Sequence, residues 1–503
     1  MAGAFGLMTA PPRVRNPLAG SGVRIGAALD RQAVWLGCVA ALCLLQIALI
    51  VQHTPWLDEW QALLIAVQSP DGAALIENLR FEGHPPLWYA VLLGWSQLVP
   101  FEWVLKAAAL SVALTMQAVI VWRAPFPRAE RLLLCLGEIA LFEYGTLARS
   151  LALGALLMVA AAALWRGRWA WLPIALLPMC DFLFGVVALL LTALLVAERR
   201  LSAWGLAALA LASALAAWSV WPDPRMIPAE RPLGFGAELG DLMFRLGGLL
   251  FPFQTFGGRI AWDGYPPYLT GSILAVLFLL WMRQRFAARP RELAATFALL
   301  AACCVTSLAL YSLHFRHLSV IAWFVIVLAW IYGQPSEREH ERWRLWLIAG
   351  ALCGVATAAV ALTTPFDAAP RVARAMTALD DGRRPWLVHP PRHSVALAAE
   401  LRRPLFSPQQ GCSQTFVRWN FGPSLRSPRK LRTAMTEWAD RYGQAFLVVD
   451  PLPRNVPRDV FLPLTGKMRG YNGQGYVIGI LGPNRPIKPL ADRPCVHGLK
   501  PLA

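Results

Sequence analysis

The feature that most constrains this chain is a succession of apolar runs, each of about the length a bilayer crossing requires. They occupy residues 33–51, 103–122, 131–147, 148–165, 201–221, 268–282, 293–311, 318–332 and 345–363. The stretch 169–197 is too long for one untilted crossing, and Pro173, Pro178 and Asp181 interrupt it. It reads as two spans turning near Asp181, which brings the expected count to about eleven. Residues 86–99 are too few to cross and suit an interfacial or re-entrant helix. The fold class is therefore a polytopic α-helical membrane protein. Composition agrees, since 57% of residues are hydrophobic and 15% charged. That balance excludes an ordinary soluble enzyme, and 22 Trp suit the membrane–water interface.

Orientation comes from the connectors. Loops 122–131, 165–169, 198–200, 283–291 and 336–344 all carry Arg. Eleven crossings put all of them on the side of the N-terminal segment 1–32, which holds Arg13, Arg15, Arg24 and Arg31. The expected placement is the plasma (inner) membrane, with a cytoplasmic N-terminus. Residues 33–363 form the membrane domain, with outer loops at 52–99 and 222–267. Residues 364–503 form an extracytoplasmic α/β domain, because short apolar runs alternate there with Pro/Gly/Arg-rich joints around one helical pattern at 428–442.

The net charge of +17 is concentrated in that tail, where 21 Lys+Arg face 9 Asp+Glu. A basic domain beside a bilayer suits anionic membrane lipid or glycan, with salt-sensitive binding. Nucleic acid is excluded as a partner, because no nucleic-acid-binding motif is present. Seven of the nine cysteines lie in apolar runs and behave as small hydrophobes. Cys412 and Cys495 alone lie in the tail. An oxidising compartment predicts a disulfide between them, with two separate buried thiols as the alternative.

The first outer loop carries the candidate chemistry. Thr54 and Pro55 suit the start of a helix. Trp56, Trp60, Leu63, Leu64 and Val67 then form an apolar stripe that can lie on the bilayer surface, with Asp58 facing a cavity. Another short helix is expected from Ser69-Pro70. Next comes Glu82-Gly-His84-Pro-Pro-Leu-Trp-Tyr89, whose proline pair holds His84 on an extended backbone.

These residues resemble a family. An acidic pair after the first span, followed by a His-Pro-Pro-Leu element, is similar to the membrane glycosyltransferases of the GT-C superfamily. The likeness is to the protein O-mannosyltransferase and aminoarabinose-transferase type, glycosyltransferase family 39. Glu143-Tyr-Gly-Thr-Leu-Ala-Arg149-Ser-Leu-Ala-Leu resembles that family's Y-x-x-x-x-R-x-Y-A-L stretch. Asp181-Phe-Leu-Phe-Gly185 takes the place of its T-H-Y-F-G turn, with Asp181 where the family has histidine. Phe315-Arg316-His317-Leu resembles its R-Y-L helix entry.

The resemblance covers roughly residues 33–335 and implies a GT-C-like fold, a polyprenyl-phosphate sugar donor, and a glycan, lipid or protein acceptor at the outer face. It places Asp58 and Glu59 as catalytic residues, Asp58 orienting and deprotonating the acceptor. Glu82, His84, Tyr89, Arg149, Asp181, Arg316 and His317 are the expected substrate contacts, cations meeting the leaving phosphate. The acidic pair suits a divalent metal ion as well as metal-free chemistry, so no cofactor is assigned. The charged residues Asp223, Arg225, Glu230, Arg231, Arg259 and Asp263 of the second outer loop suit either a lid or an inert plug. The alternative function is a transporter or flippase of a lipid-linked substrate, against which stands the lack of a visible internal repeat.

Overall fold

Helix breaks, rather than helices, set the shape of the membrane domain. The structure, a computed structural model, describes residues 29, 31–226, 234–252, 268–333, 336–420, 425, 427–491 and 493–502. The N-terminal arginines Arg13, Arg15 and Arg24, and Glu230, Arg231, Arg259 and Asp263, lie outside the described residues.

Among the described residues, six helices are long and apolar enough to cross a membrane. They are α1 (Gln32–Gln52), α5 (Phe101–Arg123), α12 (Tyr268–Phe286), α13 (Pro290–Val305) with a π-helical end, α14 (Phe315–Tyr332) and α15 (Glu337–Thr363). Between α1 and α5 lie α2 (Leu57–Gln68), α3 (Gly72–Leu79) and α4 (Leu87–Ser96). Shorter pieces complete the bundle: α6 (Arg128–Leu136), α7 (Ser150–Leu164), α8 (Trp171–Leu176), α9 (Phe182–Ala197), α10 (Ala203–Ser219) and α11 (Phe235–Leu250). Helix α14 is buried from Phe315 to Trp330 and, past the polar Arg316, His317 and Ser319 of its first turns, apolar all round, as the central helix of a bundle must be.

Two breaks shape the site. Helix α6 stops at Gly137 and gives way to a π-helical turn, Ile139–Glu143, before the chain reaches Arg149 in extended conformation at the start of α7. The carbonyls freed by this break need partners inside the bundle. Gln46 of α1 supplies them, donating to Leu141 O at 3.3 Å and Gly145 O at 3.1 Å, while Gln117 of α5 donates to Gln46 Oε1 at 2.8 Å. Helix α15 fits against the same break only because residue 354 is glycine. A Cβ there would run into the Leu136 carbonyl oxygen. The second break lies after Pro178, where Asp181 caps α9 by accepting from the Leu183 N–H at 3.0 Å.

Two expectations are corrected. Trp56, Trp60, Leu63 and Leu64 are buried by protein rather than laid on a bilayer, with Trp60 stacked on Phe101 at 5.5 Å. Thr54 does not cap α2, which begins at Leu57, and the next helix is capped by Asp71. The segment 222–267, expected as the second outer loop, holds α11, whose Leu242, Leu246 and Leu249 are buried.

The tail begins with α16 (Ala369–Leu379) and folds around β1 (Trp386–His389), α17 (His393–Leu401), β2 (Leu405–Ser407), β3 (Cys412–Gln414), α18 (Pro428–Tyr442), β4 (Ala445–Val449), β5 (Phe461–Pro463), β6 (Met468–Arg469) and β7 (Gly475–Leu481). The sheet order is β3-β2-β1-β4-β7-β5, with β6 paired to β7. Strand β1 runs parallel to both β2 and β4, which needs the crossover helices α17 and α18. A disulfide joins Cys412 to Cys495, tying β3 to the chain's last segment.

Burial, helped by the charge of Arg392, pulls the His389 imidazole down to about 3, and His393 falls well below its ordinary value for the same reasons. An unfolded histidine titrates near ~6.5, so between those limits the unfolded tail binds more protons. The histidines' contribution to tail stability is thus present above pH ~6.5 and is lost as the pH drops toward 3. It runs against an opposite contribution from Asp367 and Glu400, whose carboxyls burial pushes up. His389 alone should cost about 2 kcal/mol at pH 5. Thermal unfolding of the full chain in detergent at pH 7 and pH 5 checks this, and an unchanged tail transition would contradict it.

Candidate active site

Three charged side chains from distant parts of the sequence converge. Asp58, in the first turn of α2, accepts from Arg149, at the entry to α7, in a close ion pair. Arg316, the second residue of α14, reaches the same Asp58 oxygen at 3.2 Å. Two further contacts hold Arg316 in place. Its guanidinium lies 5.2 Å from the Trp56 ring centre, and the Tyr144 hydroxyl donates to its backbone carbonyl at 2.6 Å. Burial pushes the Asp58 carboxyl up, but Arg149 and Arg316 outweigh it and hold the group below the ordinary carboxylate range. The trio carries one negative and two positive charges, and the arginines are over nine-tenths buried. Two buried guanidiniums sharing one carboxylate oxygen present further N–H donors that can meet an anion.

Around this trio stand the residues of the His-Pro-Pro loop. His84 Nδ1 lies 3.3 Å from Asp181 Oδ2, and its charge bears on Asp58. Tyr89, on α4, is buried, which raises its hydroxyl pKa well above normal; the neighbouring Glu82 raises it further. Glu82 Oε1 accepts from the Gln61 amide at 2.5 Å and from the Trp419 indole N–H at 3.0 Å. Asp58, Glu82, His84, Tyr89, Arg149, Asp181 and Arg316 therefore share one cluster.

The other two expected site residues lie beside the cluster with their side chains engaged in local contacts. Glu59 is fully buried on a different face of α2. Its Oε2 meets His53 Nε2 at 2.7 Å and accepts from the Trp56 N–H at 3.1 Å, while Oε1 accepts from the Ala148 N–H at 2.7 Å. Both oxygens are thus used in pinning the start of α2 to the residue before Arg149. His317 Nδ1 accepts from the His314 N–H at 3.1 Å and closes the first turn of α14. Among the described residues, no group of three or more His, Cys, Asp or Glu has the spacing to hold a metal ion.

The tail forms part of the site's surroundings. Gln61 and the Val417 backbone exchange two hydrogen bonds, at 2.6 and 3.0 Å. Arg418 donates to Asn78 at 2.9 Å, and Gln68 to the Lys500 carbonyl at 3.1 Å. Thr54 accepts from the Asp367 N–H at 2.7 Å. None of Gln61, Trp419, Val417 or His53 stands out in the sequence. One tryptophan of three in a basic tail carries no mark of the loop it meets. Trp56 does carry a signal, an aromatic two residues before the acid, but its helical spacing points to a surface stripe.

Two solved structures are similar to this chain: ArnT from Cupriavidus metallidurans, bound to undecaprenyl phosphate and in the apo state. The bound form is 14% identical with a TM-score of 0.41, covering 88% of this chain and 97% of that one. The apo form is 15% identical with the same TM-score, covering 92% and 98%. No family model and no curated protein matches the chain. An overlap this loose decides nothing about chemistry, which rests on the side chains above.

Proposed function

We propose that the chain is a membrane glycosyltransferase that moves a sugar from a polyprenyl-phosphate donor to a cell-envelope acceptor at the outer face of the plasma (inner) membrane. In this reading the chain crosses eleven times, with residues 1–32 in the cytoplasm and 364–503 outside. The observation that carries it is the Asp58–Arg149–Arg316 trio, in which two buried guanidiniums at helix ends share one carboxylate. A lipid carrier arriving through the bilayer presents its phosphate at that level. As the bond from the anomeric carbon to the phosphate oxygen breaks, negative charge grows on the departing phosphate. Arg149 and Arg316 are placed to receive it, with His84 and Tyr89 as hydrogen-bonding neighbours. Asp58 keeps the two guanidiniums together when no phosphate is present, and Asp181 lies beside His84. Glu59 supports both sides of the pair from behind.

The disulfide favours a tail outside the cytoplasm, since such bonds persist in oxidising compartments. Mass spectrometry of cell-envelope glycans from a deletion strain and its parent tests the function. Loss of one glycosylated species, restored by the intact gene and not by an Arg149→Ala variant, is expected. Unchanged glycans would reject the proposal, and altered export of an otherwise normal species would favour a transporter.

A further inference from the structure

Asp58 and Glu82 belong to one cluster but occupy opposite surroundings. Asp58 faces two guanidiniums. Glu82 is held through a single oxygen by two uncharged donors, the Gln61 amide and the Trp419 indole. Its other oxygen has no partner among the described residues and is not enclosed. A carboxylate locked between arginines is a poor proton acceptor, because protonation forfeits both ion pairs. One fixed through one oxygen by neutral groups keeps the other for a substrate.

We propose that Glu82, rather than Asp58, is the general base of the transfer, and that the acceptor group is a hydroxyl. This rests on the function proposed above. The acceptor oxygen forms a bond to the anomeric carbon as the bond from that carbon to the phosphate oxygen breaks. The hydroxyl proton passes to Glu82 Oε2, and the bonding electron pair leaves with the polyprenyl phosphate, between Arg149 and Arg316. A phosphate acceptor, already anionic at neutral pH, would need no such base. The Gln61 and Trp419 contacts make the base a joint product of the first outer loop and the tail.

The electrostatics agree. Burial pushes the Glu82 carboxyl above its ordinary range and Asp58 adds to the rise, while His84, Gln61 and Trp419 offset part of it. Asp58 is moved the other way. Two carboxyls driven apart in this manner divide the work of a site between them. Tyr89 is the remaining titratable neighbour, and it stays protonated.

The test uses the full chain in liposomes. Undecaprenyl phosphate esters of common envelope sugars serve as donors, tried one at a time. A glycolipid with free hydroxyls and its phosphate-monoester counterpart serve as acceptors. Glu82→Gln should lose about 10²–10⁴-fold in turnover while still binding undecaprenyl phosphate, and Glu82→Asp should recover part of the rate. Trp419→Phe keeps the carboxylate but removes a donor to it, so the acid limb of its rate profile should move to higher pH. This variant decides the matter if Glu82→Gln does not fold. A Glu82→Gln rate within threefold of the parent, an unmoved Trp419→Phe profile, or preference for the phosphate acceptor would each overturn the role of Glu82 alone. No transfer by the parent with any donor would overturn the proposed function and this role with it.

Discussion

Asp58→Asn should bind undecaprenyl phosphate at least as tightly as the parent and yet turn over about 10²–10³-fold more slowly, the range seen when one preorganised charge contact is lost from an active site. The two halves of this expectation have one cause. Removing the carboxylate changes the trio from one surplus positive charge to two, which favours an anion in the ground state. It also removes the group that fixes Arg149 and Arg316 beside one oxygen. Guanidiniums that repel each other and drift are worse placed for the charge that develops as the bond breaks. The split between binding and turnover separates this role from simple damage, since a misfolded variant loses both. Near-normal turnover would contradict it.

Glu59→Ala should destabilise the protein by about 1–3 kcal/mol for each buried donor it leaves unsatisfied. Three contacts go at once: His53, the Trp56 N–H and the Ala148 N–H. Each is buried, so no water replaces the lost acceptor. Because Trp56 and Ala148 adjoin the two sides of the Asp58–Arg149 pair, activity should fall with stability. Glu59→Gln keeps an acceptor and should recover much of both. Thermal unfolding in detergent, with transfer measured on the same samples, checks this. Equal melting of parent and Glu59→Ala would remove the bracing role.

Much of the architecture is legible from local pattern. Uninterrupted apolar runs with polar ends place α1 and α5 to within a residue or two. Proline and aspartate at 178 and 181 mark the break before α9, because proline lacks the N–H and aspartate caps the new helix. Residues 86–99 are too few to cross, and they form the ten-residue α4. The features that cannot be read this way depend on contacts between distant segments. The burial of α2 comes from α4, α5 and the tail covering its aromatic stripe. The Glu82–Trp419 hydrogen bond spans 337 positions. Adjacent acids give no hint that Asp58 faces two arginines while Glu59 faces His53, since both have the same residue chemistry and only the neighbours differ. The convergence of Arg149 and Arg316 is likewise an expectation of family resemblance, and periodicity alone could not supply it.

The central claim is that a buried arginine pair receives a lipid-linked phosphate. Titration of undecaprenyl phosphate into the reconstituted full chain, beside an Arg149→Ala, Arg316→Ala double variant, tests it most directly. Saturable binding by the parent, weakened at least about tenfold in the double variant for each contact worth ~1.5 kcal/mol or more, is the predicted result. Equal binding by both proteins would contradict the account.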